Sequence, residues 1–171
     1  YGPIRLCLDE YADLTVIHLD AHADLAIINH LGSRVSHGTV MNLWLEAGLE
    51  KLIQYGIRSG ERNEYEMRQN DSRIIPAESI GEISDNLIVG EKIYLSLDVD
   101  FFDPAFVPGT GTPEAGGASF EDFIKICKLS GSISISLFSS KIRFLTSSKT
   151  VLVLKVGTRN INAVLSFNLF K

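Results

Sequence analysis

Short apolar strands that alternate with helical segments limit what this chain can fold into. The segment Leu14–Leu19 (LTVIHL) is β-branched and apolar, which is typical of a buried strand. Lys92–Val99 (KIYLSLDV) is the clearest strand of the sequence. Helices are predicted at about Val40–Ala47, Glu61–Gln69 and Ser119–Leu129. Strands that alternate with helices favour a parallel sheet covered by helices, so we predict a three-layer α/β/α fold with a mainly parallel sheet.

Two weaker strands complete this pattern. They are predicted at Leu52–Ile57 and at Arg73–Ile75, and the second is expected to end at Pro76. At 171 residues, of which 45% are hydrophobic, the chain is long enough for one domain with a substantial core.

Composition and charge narrow the classes of function. The net charge of −5 disfavours a nucleic-acid partner, and no apolar run reaches the roughly 18 residues of a membrane span. The two cysteines, Cys7 and Cys127, lie in apolar sequence and are predicted to be buried thiols. Since buried free thiols fit a reducing compartment, we expect a cytoplasmic protein.

Carboxylate side chains follow the two clearest strands at the point where each one ends. Asp20, His22 and Asp24 come directly after the first strand at alternate positions, and Asp98 and Asp100 end the second. Alternate residues of an extended chain share a face, and open α/β sheets bind ligands at the carboxyl ends of their strands. We therefore expect four carboxylates and one imidazole to converge on one space.

Such a cluster would repel itself strongly unless a cation neutralised it. Carboxylate oxygens with one imidazole and no thiolate favour Mn²⁺ or a similar divalent ion over structural zinc. Four carboxylates exceed the need of one ion, so the hypothesis is a pair of ions about 3.5–4 Å apart that share carboxylates. The alternatives are an acidic loop after the first strand and a solvated turn before Pro104. His18 precedes the loop, and we expect it to be a packed strand histidine.

Three residues outside this cluster are candidates for catalysis or substrate binding. His37 lies in Ser-His-Gly-Thr at a predicted helix start, where it could move protons near neutral pH unless it is only a loop or cap residue. The glycine-rich segment 108–117 lacks the Gly-Lys-Ser/Thr end of a phosphate loop. Within it, Thr112 and Glu114 could contact a cationic ligand, with a plain turn as the alternative.

These motifs resemble the ureohydrolase family of arginases and agmatinases. HLDAHADL (18–25) is similar to the family's Asp-Ala-His-x-Asp metal motif. SLDVDFFDPAFVPGTGTPEAGG (96–117) is similar to its Ser-x-Asp-Val-Asp-x-x-Asp-Pro signature and the loop that follows. SHGTVM (36–41) and YGIRSG (55–60) match the segments between them. The resemblance covers about residues 1–128 and implies a truncated arginase-like fold and a homo-oligomer.

The resemblance also implies a set of metal ligands. Asp20 and Asp98 would bridge two Mn²⁺ ions, and Asp24 would complete the first site. His22 and Asp100 would complete the second site. The hydroxide that bridges the ions would attack the guanidinium carbon, and the tetrahedral intermediate would collapse to urea and an amine.

The roles of the remaining candidates follow from the same resemblance. His37 matches the family's proton-shuttling histidine. Gly-Thr-Pro-Glu-x-Gly-Gly is more similar to agmatinases than to arginases, and Glu114 would contact the guanidinium side of the substrate, in the loop that also holds Thr112. We therefore expect a small guanidino substrate, agmatine, converted to putrescine and urea. Arginine, guanidinobutyrate and other guanidino compounds stay open.

Two segments depart from the family pattern. The family carries a Gly-Gly-Asp/Glu-His motif upstream of the first cluster, and the sequence here begins with residues that resemble those just after it. The expectation is therefore two Mn²⁺ ions at an intact site, or one in this chain. Residues 130–171 contain no Asp or Glu. We divide the chain into a partial ureohydrolase domain, 1–129, and an anomalous tail, 130–171, which is either a strand-rich extension or frameshifted sequence.

Two other functions stay open at this point. Another two-metal hydrolase, such as a phosphoesterase, would also use a carboxylate–histidine cluster, although phosphoesters favour cationic groups where this loop offers Glu114. A non-catalytic relative that binds a partner or a single metal would fit the two departures. A substrate screen with Mn²⁺ and a count of bound metal separate these functions.

Overall fold

Strands and helices alternate along the chain. The computed structural model describes residues 8–9, 11, 13–88 and 92–129, and the backbone of two further strands at 150–152 and 163–168. The strands are β1 (Leu14–Leu19), β2 (Lys51–Tyr55), β3 (Ile74–Ala77), β4 (Lys92–Asp98), β5 (Thr150–Leu152) and β6 (Ala163–Asn168). The helices are α1 (Val40–Glu46), α2 (Arg62–Asn70), α3 (Ile80–Asp85) and α4 (Phe120–Leu129), with 3-10 turns at His37–Thr39 and Val99–Phe101.

The six strands form one sheet in the order β3-β2-β1-β4-β6-β5. Strand β1 pairs in parallel with both β2 and β4, which places the ends of these three strands side by side. The pairs β2–β3 and β4–β6 are also parallel, and β5 runs antiparallel to β6. The predicted mainly parallel α/β sheet is confirmed.

Both faces of the sheet are covered by helices, as a three-layer arrangement requires. Successive residues of a strand point to opposite faces, so each strand contributes to two cores. On one face, strand residues such as Val16 and Tyr94 pack with Met41 and Trp44 of α1. The other core holds Ile17, Leu19, Ile53, Ile93, Leu95 and Leu97 from the strands, Ile83 from α3 and Ile126 from α4.

Several element bounds differ from those predicted. Strand β3 runs through Pro76 to Ala77, because it lies at the edge of the sheet, where a missing backbone N–H is tolerated. Helix α3 was not predicted at all. Strand β4 ends at Asp98, and a 3-10 turn follows where an extended chain was expected.

Three other predictions concern single residues or segments. Cys127 is partly buried, whereas Cys7 lies outside the described residues. Strands β5 and β6 fall in the segment 130–171, and β6 continues the sheet beside β4. Among the described helices, none is both long and apolar enough to cross a bilayer.

Candidate metal centre

A cavity of about 430 Å³ opens at the carboxyl ends of β1 and β4. Its wall also includes the loop after β1, the start of the His37–Thr39 turn and the loop that follows β4. Glu114 is the one sequence-predicted site residue that is not part of the wall. The predicted residues in the wall are Asp20, His22, Asp24, His37, Asp98, Asp100 and Thr112.

Strand register brings the first two carboxylates together. Leu19 pairs with Leu97 in the parallel β1–β4 ladder, so Asp20 and Asp98 follow at the same level of the sheet. Both aspartates are buried, with 3% and 8% of their surface exposed. The sequence predicted this juxtaposition from the two strand ends.

The neighbouring carboxylates reach the cavity by a different backbone path from the one predicted. The 3-10 turn after β4 places Asp100 beside Asp98, and the backbone N–H of Asp100 donates to Asp98 Oδ1 at 3.2 Å. Asp24 adopts a left-handed conformation with φ of 55°, so the alternation of an extended chain stops before it. Its carbonyl accepts a hydrogen bond of 3.0 Å from the N–H of Met41 in the first turn of α1. Turn geometry therefore brings Asp24 and Asp100 into the cavity wall.

Two overlapping groups of ligand atoms form at this site. In one group, ligand atoms of Asp20, His22 and Asp100 all lie within 4.8 Å of one another. In the other, the same criterion joins His18, Asp20 and Asp24. Asp20 belongs to both, which is the arrangement that a shared ligand needs. Among the described residues Asp98 joins neither group at this distance, although it lines the same cavity.

The imidazole of His22 contacts the acidic groups on both sides of it. Its Nδ1 lies 3.1 Å from Asp100 Oδ2 and 3.6 Å from Asp20 Oδ1. The hydrogen bonds to Asp100 and Asp20 raise the pKa of His22 to about 10, against the opposing effect of burial. His22 therefore carries a proton at neutral pH and partly offsets the negative charge of its neighbours.

Two of the buried carboxylates, Asp20 and Asp98, differ in how far neighbouring groups compensate their negative charge. Burial raises the pKa of Asp20, but the hydrogen bonds that His18 and His22 donate to its carboxylate outweigh burial and hold that pKa well below its usual range. Burial, together with the charges of Asp20 and Asp100, raises the pKa of Asp98 to about 7. The raised pKa of Asp98 therefore indicates that the surrounding side chains do not fully neutralise the negative charge of the cluster.

The nearby guanidinium of Arg58 does not supply that compensation. Its Nη2 donates to the carbonyl oxygens of Asp100 at 2.6 Å and Glu114 at 2.7 Å, and its Nη1 donates to the carbonyl of Gly56 at 3.0 Å. Arg58 therefore ties the two loops together through their backbone. An oxygen-rich cluster with one imidazole and excess negative charge fits a hard or intermediate divalent cation.

The candidates for substrate contact lie around this cluster. His37 is exposed and begins the 3-10 turn at the cavity wall. The hydroxyl of Thr112 donates to Asp100 Oδ2 at 3.2 Å, so it is coupled to the carboxylate cluster. Glu114 lies outside the wall, but its Oε1 approaches His22 Nε2 at 3.8 Å.

The sequence did not predict several buried polar residues that support the site through hydrogen bonds. Glu64 of α2 is buried, and its two oxygens accept hydrogen bonds from the N–H groups of Leu25 at 2.9 Å and Glu61 at 2.8 Å. Gln54 of β2 and Arg68 of α2 form a buried chain of hydrogen bonds behind His18. The sequence signal for Glu64 and Arg68 was a charged residue on the inward side of a polar helix. That signal does not identify the groups to which these side chains hydrogen-bond.

Known proteins share this sequence pattern and this fold. The family model for the arginase family matches residues 1–138. An agmatinase from Halalkalibacterium halodurans is 37% identical over 120 aligned positions, and the match covers 67% of this chain and 41% of that protein. An agmatinase from Bacillus subtilis is 34% identical over 125 aligned positions, and the match covers 71% of this chain and 43% of that protein. The chain therefore spans less than half the length of these curated relatives.

Similarity extends to solved structures. The crystal structure of a candidate agmatinase from Clostridium difficile superposes with a TM-score of 0.71 at 28% identity. The match covers 97% of this chain and 51% of that one.

Proposed function

The chain belongs to the arginase family, and on this basis we propose that it supplies the metal-binding part of a hydrolase that releases urea from a guanidino compound. The substrate is agmatine, and the products are putrescine and urea. Residues 1–129 form one part of a longer ureohydrolase domain. The convergence of Asp20, Asp98, Asp100 and His22 at the ends of β1 and β4 is the observation that carries this proposal.

An intact metal centre would hold two Mn²⁺ ions, and the five residues at the strand ends would be the ligands that this chain supplies. Asp20 and Asp98 would be the shared ligands; Asp20 belongs to both groups of ligand atoms, and Asp98 lines the same cavity. Asp24 would serve one ion, while His22 and Asp100 would serve the other. When bound, the ions offset the buried negative charge and supply a nucleophile from water near neutral pH.

The charge of the cavity selects a cationic substrate. Besides the four aspartates, Glu61 and Glu64 lie in the wall, and the described wall residues include no lysine or arginine. A wall with net negative charge concentrates cations, so a guanidinium compound is favoured over a phosphoester. Arg58, which contacts the loops that carry Asp100 and Glu114, donates to backbone carbonyls and does not offer an anion site.

Three further residues complete the proposed site. His37 is an exposed imidazole at the wall, where it can give a proton to the nitrogen of the leaving amine. Glu114, half-exposed beside His22, contacts the guanidinium side of the substrate. Thr112 holds Asp100 in place through its hydroxyl.

Urea release by the Mn²⁺-loaded protein tests this proposal. We expect faster release from agmatine than from arginine or guanidinobutyrate, and no hydrolysis of a phosphodiester. Asp100→Asn should reduce the rate at least about 100-fold, because it weakens a metal ligand. The control Asp85→Asn makes the same change at an exposed position at the end of α3 and should leave the rate unchanged. Phosphodiester hydrolysis, or no urea from any of the three guanidino compounds, would contradict the proposal.

A further inference from the structure

A buried chain of polar side chains runs from the metal centre to helix α2. His18 of β1 and Gln54 of β2 are neighbours in the parallel ladder, and both are fully buried. Arg68 of α2 closes the chain and is 9% exposed. At the other end, His18 Nε2 lies 2.9 Å from Asp20 Oδ2. The chain therefore links the proposed shared ligand to a cation on helix α2.

The direction of each hydrogen bond follows from the arginine. A guanidinium only donates, so the Gln54 atom that meets Arg68 Nε at 2.9 Å is the carbonyl oxygen. The amide nitrogen of Gln54 then faces His18 Nδ1 at 3.1 Å and the carbonyl of Ala23 at 2.8 Å. Since an amide nitrogen only donates, His18 Nδ1 accepts, and the ring proton of a neutral His18 lies on Nε2. Nε2–H donates to Asp20 Oδ2.

We propose that Gln54 and Arg68 are positioning residues that hold His18 in its Nε2–H tautomer, so that His18 orients Asp20 and is not itself a metal ligand. The proposal rests on the metal site proposed above. It decides between two roles for His18, because the ligand atoms of His18, Asp20 and Asp24 also lie close enough together to share an ion. A proton on Nε2 uses the lone pair that a ligand would need, and Nδ1 is turned toward Gln54.

The consequence is a carboxylate held at both oxygens. Asp20 Oδ1 accepts from the backbone N–H of His22 at 2.7 Å, and Oδ2 accepts from His18. Each carboxylate oxygen has a second lone pair, which stays available to a cation in the cavity. Fixing both oxygens reduces the reorganisation needed when Asp20 bridges two ions, as outer hydrogen bonds do at other metal sites.

The variant Gln54→Glu tests this chain of hydrogen bonds. Glutamate keeps an acceptor for Arg68 but cannot donate, so His18 must present a proton at Nδ1. The Asp20 carboxylate then faces either an unprotonated Nε2 or a cationic ring. We expect Mn²⁺ affinity to fall about 10–100-fold, the usual cost of losing an outer-shell partner. Gln69→Glu makes the same charge change at an exposed position of α2 and should bind Mn²⁺ as the wild type does.

A readout that does not depend on metal accompanies the affinity measurement. The chain has four histidines, and nitrogen-15 NMR of the metal-free protein, assigned by substituting each one, shows which ring nitrogen of His18 carries a proton. We expect the proton on Nε2 in the wild type and on Nδ1 in Gln54→Glu. If the glutamate variant does not fold, Arg68→Met serves instead, since it frees the Gln54 amide to turn over and should give a mixture of both tautomers.

The two readouts separate the possible failures. A wild-type proton on Nδ1, or unchanged Mn²⁺ affinity in folded Gln54→Glu, overturns the proposal. If the wild type binds no Mn²⁺, the proposed function fails, whereas the tautomer of His18 still supports or overturns the positioning chain.

Discussion

Replacing Asp98 by asparagine should change stability with opposite signs in the absence and presence of metal. Burial and the neighbouring charges raise the pKa of Asp98 from 3.8 to about 7 in the folded protein. Each pKa step of one corresponds to about 1.4 kcal/mol, so ionised Asp98 costs the folded state up to about 4 kcal/mol. The sign follows from linkage: a raised carboxyl pKa costs nothing below about pH 4, and the cost develops fully by about pH 7.

The neutral asparagine side chain avoids this cost and keeps an oxygen that can accept from the N–H of residue 100. In EDTA at pH 8, Asp98→Asn should therefore raise the melting temperature by up to about 16 °C, at about 2–4 °C for each kcal/mol in a chain of this size. At a pH of about 3.5, below the unfolded-state pKa of the carboxyl group, the effect should vanish.

Excess Mn²⁺ should make the wild type more stable than Asp98→Asn, which is the reverse of the order expected in EDTA. Ion binding stabilises the folded wild type, by about 2.7 kcal/mol at a hundredfold excess over the dissociation constant, and the variant loses a shared ligand and most of this gain. Calorimetry or circular dichroism melts with and without Mn²⁺ measure both signs, with Asp85→Asn as the exposed control. A lower melting temperature of Asp98→Asn in EDTA, or an equal response to Mn²⁺ in both proteins, would refute the reasoning.

Three further predictions follow from the described residues. His22 has a pKa of about 10 and must lose its proton to bind a metal, so Mn²⁺ binding at pH 8 should release protons. Titration calorimetry in two buffers detects this release as a binding enthalpy that depends on the buffer. Equal enthalpies in the two buffers would contradict the prediction. Gly56→Ala should destabilise the fold by about 1–3 kcal/mol, because φ is 94° there and a Cβ would lie 2.6 Å from the ring of Phe101. Gly109→Ala meets nothing within 4 Å and should be nearly neutral in the same denaturant titration. Burial raises the pKa of Cys127 to about 11, so iodoacetamide should label this thiol about 100-fold more slowly at pH 8 than it labels a free cysteine. Peptide mass spectrometry measures the labelling rate, and equal rates would exclude a buried thiol.

The parts of the site that lie at strand ends could be predicted from sequence. Asp20 and Asp98 follow apolar strands of one parallel sheet, and such strands bring their carboxyl ends to a common edge whatever the loops do. The identity of the motif residues then suggested a cation. Local sequence predicts the placement of these two aspartates because it depends only on where each strand ends.

Other parts depend on turns and on packing, which local patterns do not specify. The left-handed backbone of Asp24 is stabilised by the first turn of α1, which begins only at Val40, and no residue near Asp24 encodes it. Gln54 and Arg68 reach His18 only because β1 pairs with β2 and α2 packs behind them. Strand pairing and helix position are features of the tertiary structure. The roles of Gln54 and Arg68 could therefore be identified only from the folded chain.

A count of Mn²⁺ in the purified 171-residue chain, and in its Asp20→Asn variant, tests the central claim most directly. Equilibrium dialysis against Mn²⁺, followed by elemental analysis, should give at least one tightly held ion per wild-type chain and none in the variant, because both proposed ion sites share Asp20. Asp85→Asn should retain the wild-type count. No tight binding by the wild type, or an unchanged count in Asp20→Asn, would contradict the account.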